Sequence, residues 1–340
     1  MPKYIVHIGP PKTGSKYIQS QLYHSRLTLA KYGICYPDIW WTRPDQVLHD
    51  VLLELLEGNA ADLRSDFAQL NAAGHRTVVL SCEGFDNLSR EKIELLRDLI
   101  GDNPVEIIYY VRRWTERIPS DWRQRAMMGH FRTFPEYYVF ALNDPEGTGE
   151  INYSLVWERY AQIFGRKKLR LVSHSNLRDR KVDIFDHFCK VVLEMPETPR
   201  VDRGLVQQNI SPGNHTTELL RALNFVHYLR TGDVSKFMRI KLLALESQLD
   251  LRPLKEIMNQ DLTEIHIRDN AQPLKSSWDM MNGYLDCLIS PEYGTAHFER
   301  QRIEMPYIGP NYLMRPGVLN QLHALYQTLH DAPVEHAELQ

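Results

Sequence analysis

The segment that most constrains the fold is a strand, a short loop and a helix at the start of the chain. Residues 4–8 form a β-branched, apolar run that stops at Gly9, which is typical of a buried strand. Gly14 then opens a segment whose apolar residues recur at helical spacing up to Gly33. Such a loop directs several backbone N–H groups, the positive end of a helix dipole and the ammonium of Lys12 at one small volume. The sequence therefore predicts a binding site for a phosphate group.

The loop differs from the P-loop of nucleoside triphosphatases, whose pattern is G-x-x-x-x-G-K-[ST]. Gly9 and Gly14 have the right spacing, but Ser15 follows them, and Lys16 is followed by Tyr17. The lysine is therefore one place late, and the hydroxyl residue that would hold a magnesium ion is missing. A P-loop kinase or NTPase, which would need Mg²⁺ and ATP, is the alternative enzyme.

A second candidate phosphate site lies about a hundred residues later. Val105–Val111 is apolar or aromatic almost throughout, as a central parallel strand is when helices cover both of its faces. The strand ends at Arg112, and residues 114–124 then form a helical pattern that contains Ser120. An arginine at a strand end and a serine at a helix start suit one phosphate, because the guanidinium binds it through two N–H groups and the hydroxyl donates a further bond.

Both segments resemble the phosphate motifs of the sulfotransferases that use 3′-phosphoadenosine 5′-phosphosulfate (PAPS). Residues 11–15 fit the P-K-[ST]-G-[ST]-[ST] pattern of the 5′-phosphosulfate loop, and Lys16 departs from it where the family usually has a hydroxyl residue. Arg112 and Ser120 match the 3′-phosphate motif, written V-R-x-P-x-x-R-x-x-S-x-Y-x-Q, although two tryptophans replace its first proline and its tyrosine. The resemblance covers residues 1–195.

This resemblance implies an enzyme that moves a sulfuryl group from PAPS to a hydroxyl or amine of an acceptor, such as a carbohydrate or glycolipid, and releases adenosine 3′,5′-bisphosphate (PAP). It implies that eight residues bind the cofactor: Pro11, Lys12, Thr13, Gly14, Ser15, Lys16, Arg112 and Ser120. Lys12 is also predicted to be catalytic, because its ammonium would neutralise charge on the leaving oxygen. Outside the enzymes, the alternative is a catalytically silent nucleotide-binding module that docks a partner.

Glu83 is the candidate general base. It follows the predicted strand Thr77–Ser81, and in open parallel sheets ligands gather at the carboxyl ends of the strands. A partly desolvated glutamate there would accept a proton from the acceptor hydroxyl. Similar sulfotransferases use a histidine or a glutamate from this region of the sheet. The structural alternative is that Glu83 caps the helix that begins near Ser89 or pairs with an arginine.

Histidines compete with Glu83 for this role. His7 lies inside the first strand and is predicted to be a core residue, whereas His49 and His130 fall in segments that border the predicted cleft and are more often surface or structural residues. The chain contains no H-x-E, H-E-x-x-H or paired-cysteine spacing, and its four cysteines are scattered. We therefore expect no catalytic metal and a reducing compartment.

Strand and helix patterns alternate up to residue 195. This order predicts an α/β fold, a three-layer P-loop-like domain with a central parallel β-sheet flanked by helices. Beyond residue 195 the alternation is lost, and helical patterns cover residues 216–249, 276–288 and 318–329. Residues 196–340 are therefore predicted to form a mainly helical extension. We expect this extension to pack on the core and to contribute to the substrate cleft. Residues 127–144, which include an aromatic stretch, are predicted to form a substrate-facing loop.

Composition limits the partners. Of the 340 residues, 43% are hydrophobic. The formal net charge is −3, so no overall positive charge attracts nucleic acid or an anionic membrane. No apolar run reaches the length of a membrane span, and the first strand is too short for a secretory leader. The sequence therefore predicts a cytoplasmic protein with a small-molecule or glycan acceptor, without an integral membrane segment, and it does not indicate an oligomeric state.

Overall fold

A computed structural model of the chain shows a five-stranded parallel sheet flanked by helices. It describes residues 1–40, 49–57, 60–143, 152–199, 212–268, 279 and 302–333. The strands of the sheet are β1 (Lys3–His7), β2 (Ile34–Cys35), β3 (Thr77–Ser81), β4 (Val105–Val111) and β5 (Leu169–Ser173). Their order in the sheet is β2-β3-β1-β4-β5, and every neighbouring pair is parallel. The predicted fold class is confirmed.

The described residues include thirteen α-helices of four or more residues. They are α1 (Ser15–Lys31), α2 (Asp50–Glu57), α3 (Ala60–Ala72), α4 (Arg90–Ile100), α5 (Trp114–Met127), α6 (Phe134–Asn143), α7 (Tyr153–Phe164), α8 (His174–Asp179), α9 (Ile184–His187), α10 (Asn214–Thr231), α11 (Phe237–Leu245), α12 (Arg252–Asn259) and α13 (Val318–Asp331). Their ends follow local signals. Ser89, for example, accepts a bond from the backbone N–H of Lys92 and so caps α4, which means that Glu83 does not cap this helix.

Both faces of the sheet are covered, because alternate residues of each strand point to opposite sides. On one side, Ile5 of β1 and Ile108 of β4 share a buried cluster with Ile18 of α1. On the other side, Tyr4 of β1 stacks on Phe67 of α3, with the ring centroids 5.8 Å apart. The near-continuous hydrophobic runs of β1 and β4 follow from this double burial.

The chain divides into two compact units. The first contains Met1–Arg113, Pro145–Gln208 and Asn270–Arg300, and the second contains Trp114–Asp144, Asn209–Asp269 and Gln301–Gln340. The parallel sheet lies in the first unit. The division of the sequence at residue 195 into a cofactor-binding core and an extension stays a prediction.

The second unit is mainly helical. It also contains an antiparallel pair that the sequence did not indicate, β6 (Leu262–Arg268) and β7 (Arg302–Ile308). A buried ion pair lies in its core: the Arg221 guanidinium donates to both carboxylate oxygens of Glu218, at 2.7 and 2.6 Å, and the Tyr312 hydroxyl donates to the same carboxylate. The helix predicted over residues 276–288 lies outside the described residues.

The prediction of a substrate-facing loop over residues 127–144 is wrong for most of that segment, because α6 occupies Phe134–Asn143. A capping box starts this helix. The Thr133 hydroxyl accepts from the backbone N–H of Glu136, and the Glu136 carboxylate accepts from the backbone N–H of Thr133 at 2.7 Å. The buried rings of Phe134 and Tyr137 then form its inner face. The aromatic stretch is therefore the core side of a helix.

Candidate functional site

The candidate site begins with the loop between β1 and α1. Lys12 has a φ of 69° and Gly14 a φ of 83°, so two residues with left-handed backbone conformation alternate with Thr13. Only glycine adopts this region without strain, so the conformation of Lys12 costs energy that the rest of the loop must supply. Turns of this kind direct successive N–H groups into one concavity, which suits an anion at the start of α1.

The side chains of Thr13 and Ser15 face the inside of the loop. Both are buried. The Thr13 hydroxyl donates to the Pro10 carbonyl at 2.7 Å, and the Ser15 hydroxyl lies 3.3 Å from the same oxygen. In this conformation, the two residues offer an anion their backbone N–H groups rather than their hydroxyls. Lys16 is exposed on the first turn of α1.

Arg112 is brought to this loop by β4, which lies next to β1 in the sheet. Its guanidinium Nη1 donates to the backbone carbonyl of Lys12 at 3.2 Å. Its own carbonyl accepts a bond of 2.9 Å from the Tyr153 hydroxyl, which anchors the backbone at the end of the strand. Two residues that are 100 positions apart in the sequence, and that belong to the two predicted phosphate motifs, are therefore in direct contact.

The adjacent Arg113 has a different role. Its side chain is only 4% exposed, and it donates to the Asp179 carboxylate at 2.5 Å and to the Asn176 side-chain oxygen at 3.2 Å. Its backbone N–H donates to the Ser175 hydroxyl at 3.0 Å. Arg113 therefore joins the end of β4 to α8, whereas Arg112 donates to the loop.

Glu83 lies beyond the end of β3, the other neighbour of β1. It is half-buried and begins a short 3₁₀ helix, Glu83–Asn87. Because β3, β1 and β4 are parallel and adjacent, Glu83, the Lys12 loop and Arg112 all follow the carboxyl edge of the same sheet. Its role as a base stays a prediction.

Two of the competing histidines are buried. His7 is fully enclosed, and burial lowers its pKa to about 3. His49 is also fully enclosed, and burial lowers its pKa to about 4. The Nδ1 of His49 accepts from the backbone N–H of Ser81, and its Nε2 bonds to the Pro37 carbonyl at 2.9 Å. His49 thus cross-links the end of β3 to the loop after β2. His130 is exposed and belongs to the second unit.

His174 is a residue near the loop that the sequence did not single out. It is the first residue of α8, directly after β5, and its Nε2 lies 3.6 Å from the position that a Cβ atom on Gly14 would take. Its position at the carboxyl end of a parallel strand could have marked it as a candidate site residue, because three other strands of the sheet are followed by candidate site residues at the same edge.

Ser120 lies on α5, in the second unit. Its side chain is buried, as is that of Arg117 on the same helix. On the following turns of α5, the Asp121 carboxylate accepts a bond of 2.9 Å from Arg125 and a further bond from the Tyr137 hydroxyl of α6. Burial and the Asp121 charge together hold the pKa of Tyr137 well above its usual value.

The described residues contain neither a metal site nor a membrane-spanning helix. No group of three or more histidine, cysteine, aspartate or glutamate side chains there has the arrangement of a metal site. None of the helices in the same part of the chain is both long enough and apolar enough to cross a membrane.

The chain is similar to known proteins in structure rather than in sequence. No protein-family model matches the chain, and no curated protein matches it in sequence. Among solved structures, the chain is similar to the crystal structure of a sulfotransferase from Alicyclobacillus acidocaldarius. The similarity covers 68% of this chain and 96% of that chain, with a TM-score of 0.36 and 14% sequence identity.

Proposed function

We propose that the chain is a sulfotransferase that moves a sulfuryl group from PAPS to a hydroxyl or amine of an acceptor, with a carbohydrate or glycolipid as the first class to test. The observation that carries the proposal is the 3.2 Å contact between the Arg112 guanidinium and the Lys12 carbonyl. It joins the two segments that resemble the 5′-phosphosulfate and 3′-phosphate motifs of PAPS-dependent enzymes. A 3′-phosphate is what distinguishes PAPS from ATP.

The residues divide the binding of the donor among them. The backbone N–H groups of residues 13–15 and the Lys12 ammonium hold the 5′-phosphate, with Pro11 and Lys16 on either side of them. Arg112 holds the 3′-phosphate through two N–H groups of its guanidinium, and the resemblance implies one further bond from the Ser120 hydroxyl.

The reaction breaks the bond between sulfur and the bridging oxygen of the donor and forms a bond between sulfur and the acceptor oxygen. Glu83 takes the proton that the acceptor hydroxyl loses. Lys12 stabilises the negative charge that develops on the bridging oxygen, which leaves with PAP. No step in this scheme requires a metal ion, and we expect the protein to act in the cytoplasm.

Isothermal titration calorimetry of PAP against ADP, followed by transfer of ³⁵S-labelled sulfate from PAPS to a panel of sugars, glycolipids and phenols, tests the proposal. Lys12→Ala is expected to lose most of its turnover, because it removes the charge at the leaving oxygen. Arg112→Ala is expected chiefly to weaken PAP binding. Tighter binding of ADP with Mg²⁺ than of PAP would favour the kinase alternative, and PAP binding without transfer to any acceptor would favour the silent module. Wild-type activity in either variant would refute the assignment.

A further inference from the structure

A chain of buried polar side chains lies beneath the loop. The Gln19 side-chain Nε2, on α1, donates to the Ser81 hydroxyl oxygen at 3.1 Å, and the same oxygen lies 2.8 Å from Nδ1 of His7. All three residues are fully buried. The chain therefore connects α1, the end of β3 and the end of β1 on the side of the sheet that α1 covers.

The hydrogen bonds of this chain determine the tautomer of His7. Ser81 has a single hydroxyl proton, and its oxygen already accepts from Gln19. Among the described residues, only His7 Nδ1 remains to take that proton. Nδ1 is then an acceptor, and a neutral imidazole carries its proton on the other nitrogen. Burial lowers the pKa of His7 to about 3, so the ring stays neutral at ordinary pH. Nε2–H is therefore a fixed donor.

This donor points at the loop. A Cβ atom built on Gly9 would lie 2.6 Å from His7 Nε2 and 2.4 Å from the Ser15 hydroxyl oxygen, so these two atoms face each other across the bare Cα of Gly9. Within the described part of the chain, Nε2 has no hydrogen-bond partner. A buried donor without a partner costs about 1–3 kcal/mol, which a nearby acceptor removes.

The Ser15 hydroxyl oxygen is the acceptor nearest to that Cβ position on Gly9. Its bond to the Pro10 carbonyl is long, at 3.3 Å, and the same carbonyl already accepts the shorter bond of 2.7 Å from Thr13. The Pro10 carbonyl therefore forms a weaker bond with the Ser15 hydroxyl than with the Thr13 hydroxyl. The Ser15 oxygen also lies 3.3 Å from the Thr13 hydroxyl oxygen, which is an equally long contact. If Ser15 accepts from His7, its own proton can leave these two long contacts and turn towards an anion at the N-terminus of α1.

We infer that His7 is a positioning residue for the phosphate loop. When an anion fills the loop, His7 donates from Nε2–H to the Ser15 hydroxyl and so directs the Ser15 proton at that anion. This inference rests on the proposed function for its ligand, the 5′-phosphate end of PAP. His7 itself is enclosed and touches no ligand. It acts through Ser15, and Gly9 is required because any side chain at that position would fill the gap between the two groups.

The tautomer is tested directly in the free protein. In ¹⁵N-edited NMR spectra of histidine-labelled protein, assigned by the signals that disappear in His7→Gln, His7 is expected to show a protonated Nε2 and a bare Nδ1. Addition of PAP is expected to shift the Nε2 proton downfield as it enters a hydrogen bond. A proton on Nδ1 overturns the inference, whatever the nucleotide results are. Failure of the wild-type protein to bind PAP would instead count against the proposed function.

A pair of variants separates the two ends of the imidazole. His7→Gln keeps an N–H donor at the place of Nε2, whereas His7→Asn keeps only a partner for Ser81 at the place of Nδ1. His7→Asn is expected to weaken PAP binding about tenfold, which is the affinity lost with one hydrogen bond to a group that binds a charge. His7→Gln is expected to weaken PAP binding less than about threefold. Equal losses in the two variants would show a purely structural role.

A double-mutant cycle shows whether His7 acts through Ser15. In a Ser15→Ala background, His7→Asn is expected to cause no further loss of PAP affinity, because the acceptor of its bond is already gone. Ser25→Ala is the matched control, since Ser25 carries another buried hydroxyl on α1 and is expected to leave PAP affinity unchanged in both backgrounds. Additive losses for His7→Asn and Ser15→Ala would overturn the inference.

Discussion

Acidification is expected to destabilise this protein because three histidines of the first unit are buried in the neutral form. Burial lowers the pKa of His7 to about 3, and that of both His49 and His187 to about 4. In the unfolded chain the same side chains titrate near pH 6.5. Unfolding below that pH therefore takes up a proton at each of them. The stability that they contribute is fully present above pH 6.5 and is lost as the pH falls towards 4.

The size of the effect follows from the separation of these pKa values. One proton taken up on unfolding changes the free energy of unfolding by about 1.4 kcal/mol per pH unit. At pH 5 each histidine has therefore cost about 2 kcal/mol, and the three together about 6 kcal/mol, which is comparable to the whole stability of a typical domain. Glu218 acts in the opposite direction, because burial raises the pKa of its carboxyl and folding then favours its protonated form.

Urea unfolding at pH 7.5 and pH 5.0 measures this loss, and His49→Gln isolates one contribution. The fall in unfolding free energy between the two pH values is expected to be about 2 kcal/mol smaller in the variant than in the wild type. His24→Gln is the control, because it makes the same exchange at an exposed histidine of α1. The same fall in His49→Gln as in the wild type would refute the reasoning.

Three further predictions concern local packing. Arg113→Ala is expected to cost about 3 kcal/mol of unfolding free energy, because it removes a buried guanidinium together with its bonds to Asp179 and Asn176, whereas Arg112→Ala costs less than about 1 kcal/mol; equal losses in thermal unfolding would contradict this. Gly129→Ala is expected to cost more than about 2 kcal/mol, since its φ is 101° and the new Cβ would lie 2.2 Å from the Ser235 carbonyl oxygen. Gly74→Ala, with a φ of 78° and open space around it, is the control and costs about 1 kcal/mol. Thr133→Ala is expected to cost about 1 kcal/mol in urea unfolding by removing the cap of α6, and an unchanged midpoint would show that this cap contributes nothing.

Much of the sheet could be predicted because its strands are short, apolar and closed by clear signals. The bounds predicted for β3 and β4 agree with the structure. The parallel arrangement followed from the alternation of strands with helical patterns, since parallel neighbours need a crossover between them. The sequence prediction is wrong at α6. A run of aromatic residues there suggested a ligand-facing loop, but the capping box at Thr133 is the stronger signal and starts a helix.

Contacts between segments that lie far apart in the chain could not be predicted from the sequence. The strands β6 and β7 are separated by more than thirty residues, and each carries exposed positions along its length, so neither shows the continuous apolar run that marks the strands of the parallel sheet. Likewise, nothing local distinguishes His49, which cross-links the end of β3 to Pro37, from a surface histidine.

The sequence by itself determined that the first part of the chain forms a parallel sheet with helices, and it supplied the residue types of the two segments that resemble phosphate motifs, because strand periodicity, glycine positions and charged residue types act over a few neighbouring residues. Only the tertiary structure decided that Arg112 rather than Arg113 contacts the Lys12 carbonyl, and that His7 faces Ser15 across Gly9. The physical reason is that strand pairing and helix packing, which join residues far apart in the chain, set the direction of each of these side chains.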